Sequence, residues 1–235
     1  MARIIKKSSK SKGLPPGSLI HIGDKTKEKS EISIIDYNQS KFNEIKCKNT
    51  EECFSYKNSS SISWINIDGI SDIKTIEKVG KNFNIHPLIL EDIVNSDQRP
   101  KMEDYEKYIF FVLKMLHYND IHKKISVEQI SFILYKNIVI SFQELKGDVF
   151  DSVRERLRSN KGRIRKMGAD YLLYSLIDAI VDNYFVILEK IGERIEDLEE
   201  ILIDNPNPET LQNIHRLKRE MIYLRKSVWP LRELI

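Results

Sequence analysis

The chain has 235 residues, of which 41% are hydrophobic and 31% charged, and a formal net charge of +3. That length carries one sizeable core, or a domain with a helical appendage, and so small a net charge gives no general case for nucleic-acid binding. Two cysteines, Cys47 and Cys53, make neither a disulfide framework nor a Cys-x-x-Cys pair, and five dispersed histidines, with His117 and His122 the nearest two, give no zinc spacing.

Residues 1–17 read as a flexible basic arm that stops at Pro15-Pro16-Gly17. Its basic residues have no apolar run behind them, which excludes a signal peptide; the arm could touch acidic lipid or nucleic acid, but without interleaved aromatics a solvated tail is the first expectation. Strands are expected at Leu19–Ile22 and Ile32–Tyr37. A short helix is expected at Thr50–Phe54, with Thr50 as N-cap and Glu51 and Glu52 favourable in the first turn. Alternation from Ser61 to Ile67 predicts a strand, and Asp72 then caps an amphipathic helix carrying Ile73, Ile76, Val79 and Phe83. Pro87 suits the first position of a helix over Pro87–Val94, because its missing N–H costs nothing there. Long β-rich runs follow at Tyr108–His117 and Ile125–Tyr135, and Lys136-Asn137 turns the chain into a strand at Ile138–Phe142. Val149–Leu157 reads as a helix and Lys161–Lys166 as a basic connector.

From Ala169 two long helices turn at Asp204-Asn-Pro-Asn-Pro208. In the second, Ile214, Leu217, Met221, Leu224, Val228, Leu231 and Ile235 recur at alternating spacings of three and four, the seam of a packed hairpin or coiled coil. No capping Gly or Asn follows Arg232-Glu-Leu-Ile235, so the heptad is expected to run on past the last residue. Residues 178–209 hold ten acidic and two basic side chains, and 210–235 two acidic and six basic. The expectation is that Glu189, Glu193, Glu196, Asp197, Glu199 and Glu200 pair with Arg216, Lys218, Arg219 and Arg225 across the hairpin. A membrane span needs about twenty apolar residues. The best stretch, Tyr171–Ile191, is broken by Asp178, Asp182 and Glu189, so the chain reads as soluble. The residues thus give a strand-rich mixed α/β body over 18–167 and a long antiparallel helical hairpin over 168–235.

Five ordered blocks carry a resemblance. They are His86-Pro-Leu-Ile-Leu-Glu-Asp-Ile93, Gln98-Arg-Pro-Lys-Met-Glu103, Gly147-Asp-Val-Phe-Asp-Ser-Val-Arg-Glu-Arg156, Ala169-Asp-Tyr-Leu-Leu-Tyr-Ser-Leu-Ile-Asp178 and Leu224-Arg-Lys-Ser-Val-Trp-Pro-Leu-Arg-Glu233. From about Lys12 to its last residue, the chain resembles the cytoplasmic part of the CorA family of magnesium/cobalt transporters. The resemblance implies an αβα sandwich around a mixed, largely antiparallel sheet, followed by the helical hairpin. It implies a homopentameric channel for Mg²⁺, with Co²⁺ and Ni²⁺ also carried, and no enzymatic role. The family's stalk helix and its two membrane helices with a Gly-Met-Asn signature have no counterpart in this sequence. Membrane contact is therefore expected only through those missing C-terminal parts, with this domain on the cytoplasmic side and only weakly associating by itself.

The family's regulatory cations sit between subunits, and the matching positions here are Glu91, Asp92 and Asp178. Mg²⁺ seeks octahedral oxygen ligation, commonly one or two carboxylates plus waters. Glu91-Asp92 supplies adjacent carboxylates, and Asp178 interrupts an apolar stretch. The bland alternative is that Glu91 and Asp92 decorate an exposed helix while Asp178 accepts a hydrogen bond from a Tyr or Arg. The family's opposing carboxylate lies on the absent stalk, so the site is expected to be half built. Rival readings are a sensor for a Zn²⁺-, Co²⁺- or Ni²⁺-transporting paralogue, a hairpin interaction scaffold, or a metal-dependent hydrolase built on the same three acids. The last lacks any accompanying nucleophile or His–carboxylate motif.

Overall fold

The strands form a seven-stranded sheet in the order β2-β1-β3-β7-β6-β5-β4 in the computed structural model, which describes residues 15–21, 29–204 and 207–233. The strands are β1 (Glu31–Tyr37), β2 (Phe42–Lys46), β3 (Ile62–Asp68), β4 (Lys101–Tyr105), β5 (Tyr108–Asn119), β6 (Lys124–Tyr135) and β7 (Ile138–Gln143). Every neighbouring pair is antiparallel except β3 and β7, which run parallel from Ser63 opposite Ile138 to Asp68 opposite Gln143. A parallel pair cannot be joined by a hairpin and needs a long crossover. Here that crossover contains α1 (Ile73–Phe83), α2 (Pro87–Val94) and strands β4 to β6.

The crossover helices lie on one face of the sheet, where Ile76, Val79, Phe83, Ile89 and Ile93 pack on Ile34, Ile65, Ile67, Phe110 and Ile133. The other face carries α3 (Asp151–Arg158), α4 (Ala169–Asp204) and α5 (Pro208–Val228). There Phe150, Val153, Leu157, Leu172, Leu176 and Ile180 cover Trp64, Leu113, Phe132 and Val139. With both faces covered, the central strands bury side chains on both sides, and all six residues of β7 are buried. The αβα sandwich on a mixed, largely antiparallel sheet is thus observed.

α4 is long and apolar enough to cross a membrane by length and composition alone. It lies instead as a core helix, with a buried stripe from Leu172 to Ile191 facing the sheet. Tyr184 Oη donates to the Lys114 carbonyl, and Asn183 Nδ2 donates to the Leu116 carbonyl at 2.6 Å.

Several local expectations are corrected. Residues 19–21 join no strand; they run along α2, with buried His21 Nδ1 hydrogen-bonded to the Val94 carbonyl at 3.2 Å, and Ile22 lies outside the described residues. The helix at Thr50 is a 3₁₀ helix over Thr50–Asn58, and its cap is Asn49, whose side chain accepts from the Glu52 N–H. Strands β2 and β4 escape the sequence pattern because they are the two sheet edges, where charged residues replace apolar alternation.

The hairpin seam also differs. Leu217, Leu224 and Leu231 are buried, whereas Ile214 and Met221 are exposed. α5 stops at Val228 and passes into a 3₁₀ turn over Trp229–Glu233, since Pro230 has no N–H to continue the ladder. The expected acid-to-base pairing is not what joins the two helices. Glu196, Glu199, Glu200, Arg216, Lys218, Arg219 and Arg225 are exposed, while a pair of the opposite sense, Arg194 to Glu220, is buried between α4 and α5. The long acidic and basic side chains prefer the solvated faces, and among the described residues the seam buries the Arg194–Glu220 pair beside its leucines.

Candidate metal centre

α2 is held from both ends. Pro87 occupies its first turn, and the His86 side chain accepts from the Leu88 N–H at 3.3 Å. The His86 backbone N–H donates to Tyr108 Oη at 3.0 Å, and the His86 ring stacks over Tyr105, which stacks in turn over Tyr108. Ile89, Leu90, Ile93 and Val94 are buried beneath the helix. Gly80 lets Leu90 approach α1: a Cβ at that glycine would stand 2.3 Å from Leu90 Cδ1. Gln129 Nε2 fixes the Asp92 carbonyl at 2.9 Å. With four apolar positions turned inward, Glu91 and Asp92 are left at the half-exposed rim.

Both carboxylates have partners within the chain. Glu91 Oε2 accepts the Gly17 backbone N–H at 2.8 Å, across 74 residues of sequence. Asp92 Oδ2 accepts from Lys101 Nζ at 2.6 Å, and the same ammonium donates to Glu103 Oε1 at 2.6 Å. Tyr105 Oη donates to Glu103 Oε2 at 2.9 Å. Burial works against the charge on Lys101, but the hydrogen bonds to Asp92 and Glu103 outweigh it and raise its pKa above the ordinary lysine value. Burial likewise works against the charge on Glu103; the Lys101 and Tyr105 hydrogen bonds prevail and lower its pKa. Lys101 and Glu103 were legible only as part of a signature block. The overlooked signal is period two, which places Lys101, Glu103 and Tyr105 on one face of β4.

Asp178 stands apart from this group. It projects from α4, in the layer on the opposite side of the sheet, and is exposed, outside the buried stripe of Leu172, Leu173, Leu176 and Ile180. The structure therefore brings Glu91 and Asp92 together and leaves Asp178 elsewhere. Among the described residues no group of three or more His, Cys, Asp or Glu converges as a metal cage. Half-exposed carboxylate oxygens suit a hard divalent cation that keeps most of its water, and these two supply only part of such a site.

A mixed sheet between helical layers, with a long hairpin rising from one of them, is an architecture shared with solved structures. The chain is similar in structure to the soluble domain of CorA from Methanocaldococcus jannaschii, with a TM-score of 0.62 at 19% identity, covering 86% of this chain and 76% of that one. It is also similar to the ZntB cytoplasmic domain from Vibrio parahaemolyticus, with a TM-score of 0.63 at 14% identity, covering 86% and 79%. At such identities these likenesses establish the fold alone.

Sequence takes the identification further. Residues 59–235 match the model of the CorA-like Mg²⁺ transporter protein family, and the chain belongs to that family. It is 51% identical over 230 residues to the cobalt/magnesium transport protein CorA of Thermotoga maritima, covering 98% of this chain and 65% of that relative's length. The family is one of transporters, not enzymes, which removes the hydrolase reading.

Proposed function

We propose that this chain is the cytoplasmic, cation-sensing part of a CorA-type Mg²⁺ transporter, with Asp92, Glu91 and Asp178 contributing to regulatory sites shared between subunits. Co²⁺ is the natural substitute ligand, in keeping with the cobalt/magnesium designation of the Thermotoga maritima relative. The observation that carries the reading is the separation of the acids. Glu91 and Asp92 ride on one layer of the sandwich and Asp178 on the other, all open to solvent to some degree, which suits acids that meet groups of a neighbouring subunit.

Intracellular Mg²⁺ at such interfaces would offset the repulsion among the carboxylates and hold the closed pore. Two bare carboxylates brought to about 6 Å repel by roughly 3 kcal/mol at an effective dielectric near 20. Several interfaces together then bias a closed/open balance, provided the closed state binds the cation better. A pentamer is assigned to the complete transporter, and this chain alone is expected to be a monomer or low oligomer at micromolar concentration.

The test is protease resistance of the complete transporter against Mg²⁺ concentration. Asp92→Asn and Asp178→Asn should each raise the protective midpoint about fivefold to thirtyfold, as expected for a carboxylate worth about 1–2 kcal/mol of cation binding. Curves superimposable on the unmodified protein would remove both acids from the sensor.

A further inference from the structure

The Asp92 carboxylate already holds a cation supplied by the chain itself. Lys101 Nζ lies 2.6 Å from Asp92 Oδ2 and 2.6 Å from Glu103 Oε1, so one ammonium bridges a helix carboxylate and an edge-strand carboxylate. The arrangement is shielded but not sealed: the side chains of Lys101, Asp92 and Glu103 are 29%, 21% and 36% exposed. The ammonium also sits 5.8 Å from the centroid of the Phe110 ring. Gln129 fixes the Asp92 backbone and Tyr105 fixes Glu103, so both acceptors are positioned independently of the lysine.

We propose that Lys101 is a tethered competitor at Asp92, displaced when a divalent cation binds there, and that it sets the concentration at which the sensor fills. The inference rests on the reading of Asp92 as a cation ligand. A tethered ammonium reaches the carboxylate without being drawn from solution, and a free monovalent cation gains little by replacing it. A dication brings twice the charge and draws its oxygens in to about 2.1 Å. If the lysine pair has an association constant of about 5, the apparent dication affinity falls by one plus that constant, about sixfold. Sixfold is about 1 kcal/mol at 1.4 kcal/mol per tenfold. The released ammonium keeps Glu103 as its partner, so displacement leaves no unpaired charge behind.

The experiment is a Mn²⁺ titration of the complete transporter in detergent, where the subunit interfaces are present, reading free Mn²⁺ by electron paramagnetic resonance, with thermal melts to confirm that each variant folds. Lys101→Met should tighten the Asp92-dependent binding about sixfold, and Lys101→Gln serves as a second neutral variant. Lys101→Arg keeps the charge and should stay near wild type, while adding Asp92→Asn to Lys101→Met should abolish the gain. A second readout uses the unmodified chain: acetylation of Lys101, followed by peptide mass mapping, should speed up several-fold as Mg²⁺ is added. If Asp92→Asn weakens Mn²⁺ binding in the unmodified background but Lys101→Met leaves it unchanged, the competitor is overturned and the site reading stands. Tightening by Lys101→Arg equal to that by Lys101→Met would also overturn it, since charge would then not be the cause. If no variant shows Asp92-dependent binding, the site reading and the competitor fall together.

Discussion

The Gly17 backbone N–H donates to Glu91 Oε2 at 2.8 Å and so ties the start of the described chain to the rim of α2. Gly17 holds φ at +83°, and a Cβ there would meet Pro87 Cβ at 3.0 Å. Gly17→Ala should therefore cost about 1 kcal/mol in urea denaturation, and amide exchange at position 17 should accelerate. Unchanged stability and exchange would mean that the strap is not seated on the helix.

Gly80→Ala should be more severe. The new methyl would stand 2.3 Å from Leu90 Cδ1, and Leu90 is buried, so α1 and α2 must part or Leu90 must leave its rotamer. Overpacking of this kind costs about 1–3 kcal/mol. The double variant Gly80→Ala with Leu90→Ala should recover part of the loss if that contact is the cause; calorimetric melting temperatures of the three proteins decide it.

Arg194 and Glu220 form the buried pair between α4 and α5, their side chains 11% and 10% exposed. Removing one partner leaves a shielded charge alone, so Glu220→Ala should destabilise by about 3 kcal/mol and Arg194→Ala by a similar amount. Hydrogen exchange along α5 should rise while the sheet stays protected. The charge-swapped protein, Arg194→Glu with Glu220→Arg, should regain much of the loss, because the seam selects a pair and not its polarity.

Glu128 gives the chain a pH signature unrelated to metal. Its side chain is 5% exposed on the α4 side of the sheet, with His117 Nε2 at 3.5 Å. Burial pushes its pKa above the ordinary value of 4.5, and the Glu144 carboxylate adds to that, while His117 opposes it. The folded chain thus holds this proton more tightly than the unfolded one. Stability is fully retained below the ordinary carboxylate value and declines as pH rises through the raised one. Glu128→Gln should flatten that decline and make the protein more stable near neutral pH, with the advantage vanishing in acid. Parallel denaturation profiles at every pH would refute this.

Much of this architecture is legible in the residues. α2 is bounded correctly at Pro87 and Val94, because a proline at the first position and a compact apolar run speak for themselves. β5 and β6 each extend beyond their expected lengths, to Asn119 and back to Lys124, since polar residues near a hairpin end carry no apolar signal. The edges β2 and β4 are hidden by the charges that protect them. The hairpin is found but its electrostatics are misread: net charge per helix says nothing about which face each charge occupies, and Arg194 with Glu220 runs against the totals. For the candidate site, Glu91 and Asp92 are visible as neighbours in sequence. The hold of Lys101 on Asp92 is a tertiary relation between a helix and a strand, which no spacing rule encodes.

α4 has 36 residues, and its buried positions end at Ile191. Ile195 and Leu198 still pack on that core from partly buried positions, and Asp197 pairs with Lys123 at 2.9 Å, so at 1.5 Å per residue about 9 Å of helix continues beyond the last anchored turn, accompanied by α5. Such an overhang is a pointer with its pivot at the sandwich. A tilt of about 10° at the pivot carries the tip about 1.6 Å, enough to break a hydrogen bond there. Adjustments too small to disturb the packing of Leu172 or Ile180 are thereby converted into displacements large enough to break or make contacts at the far end.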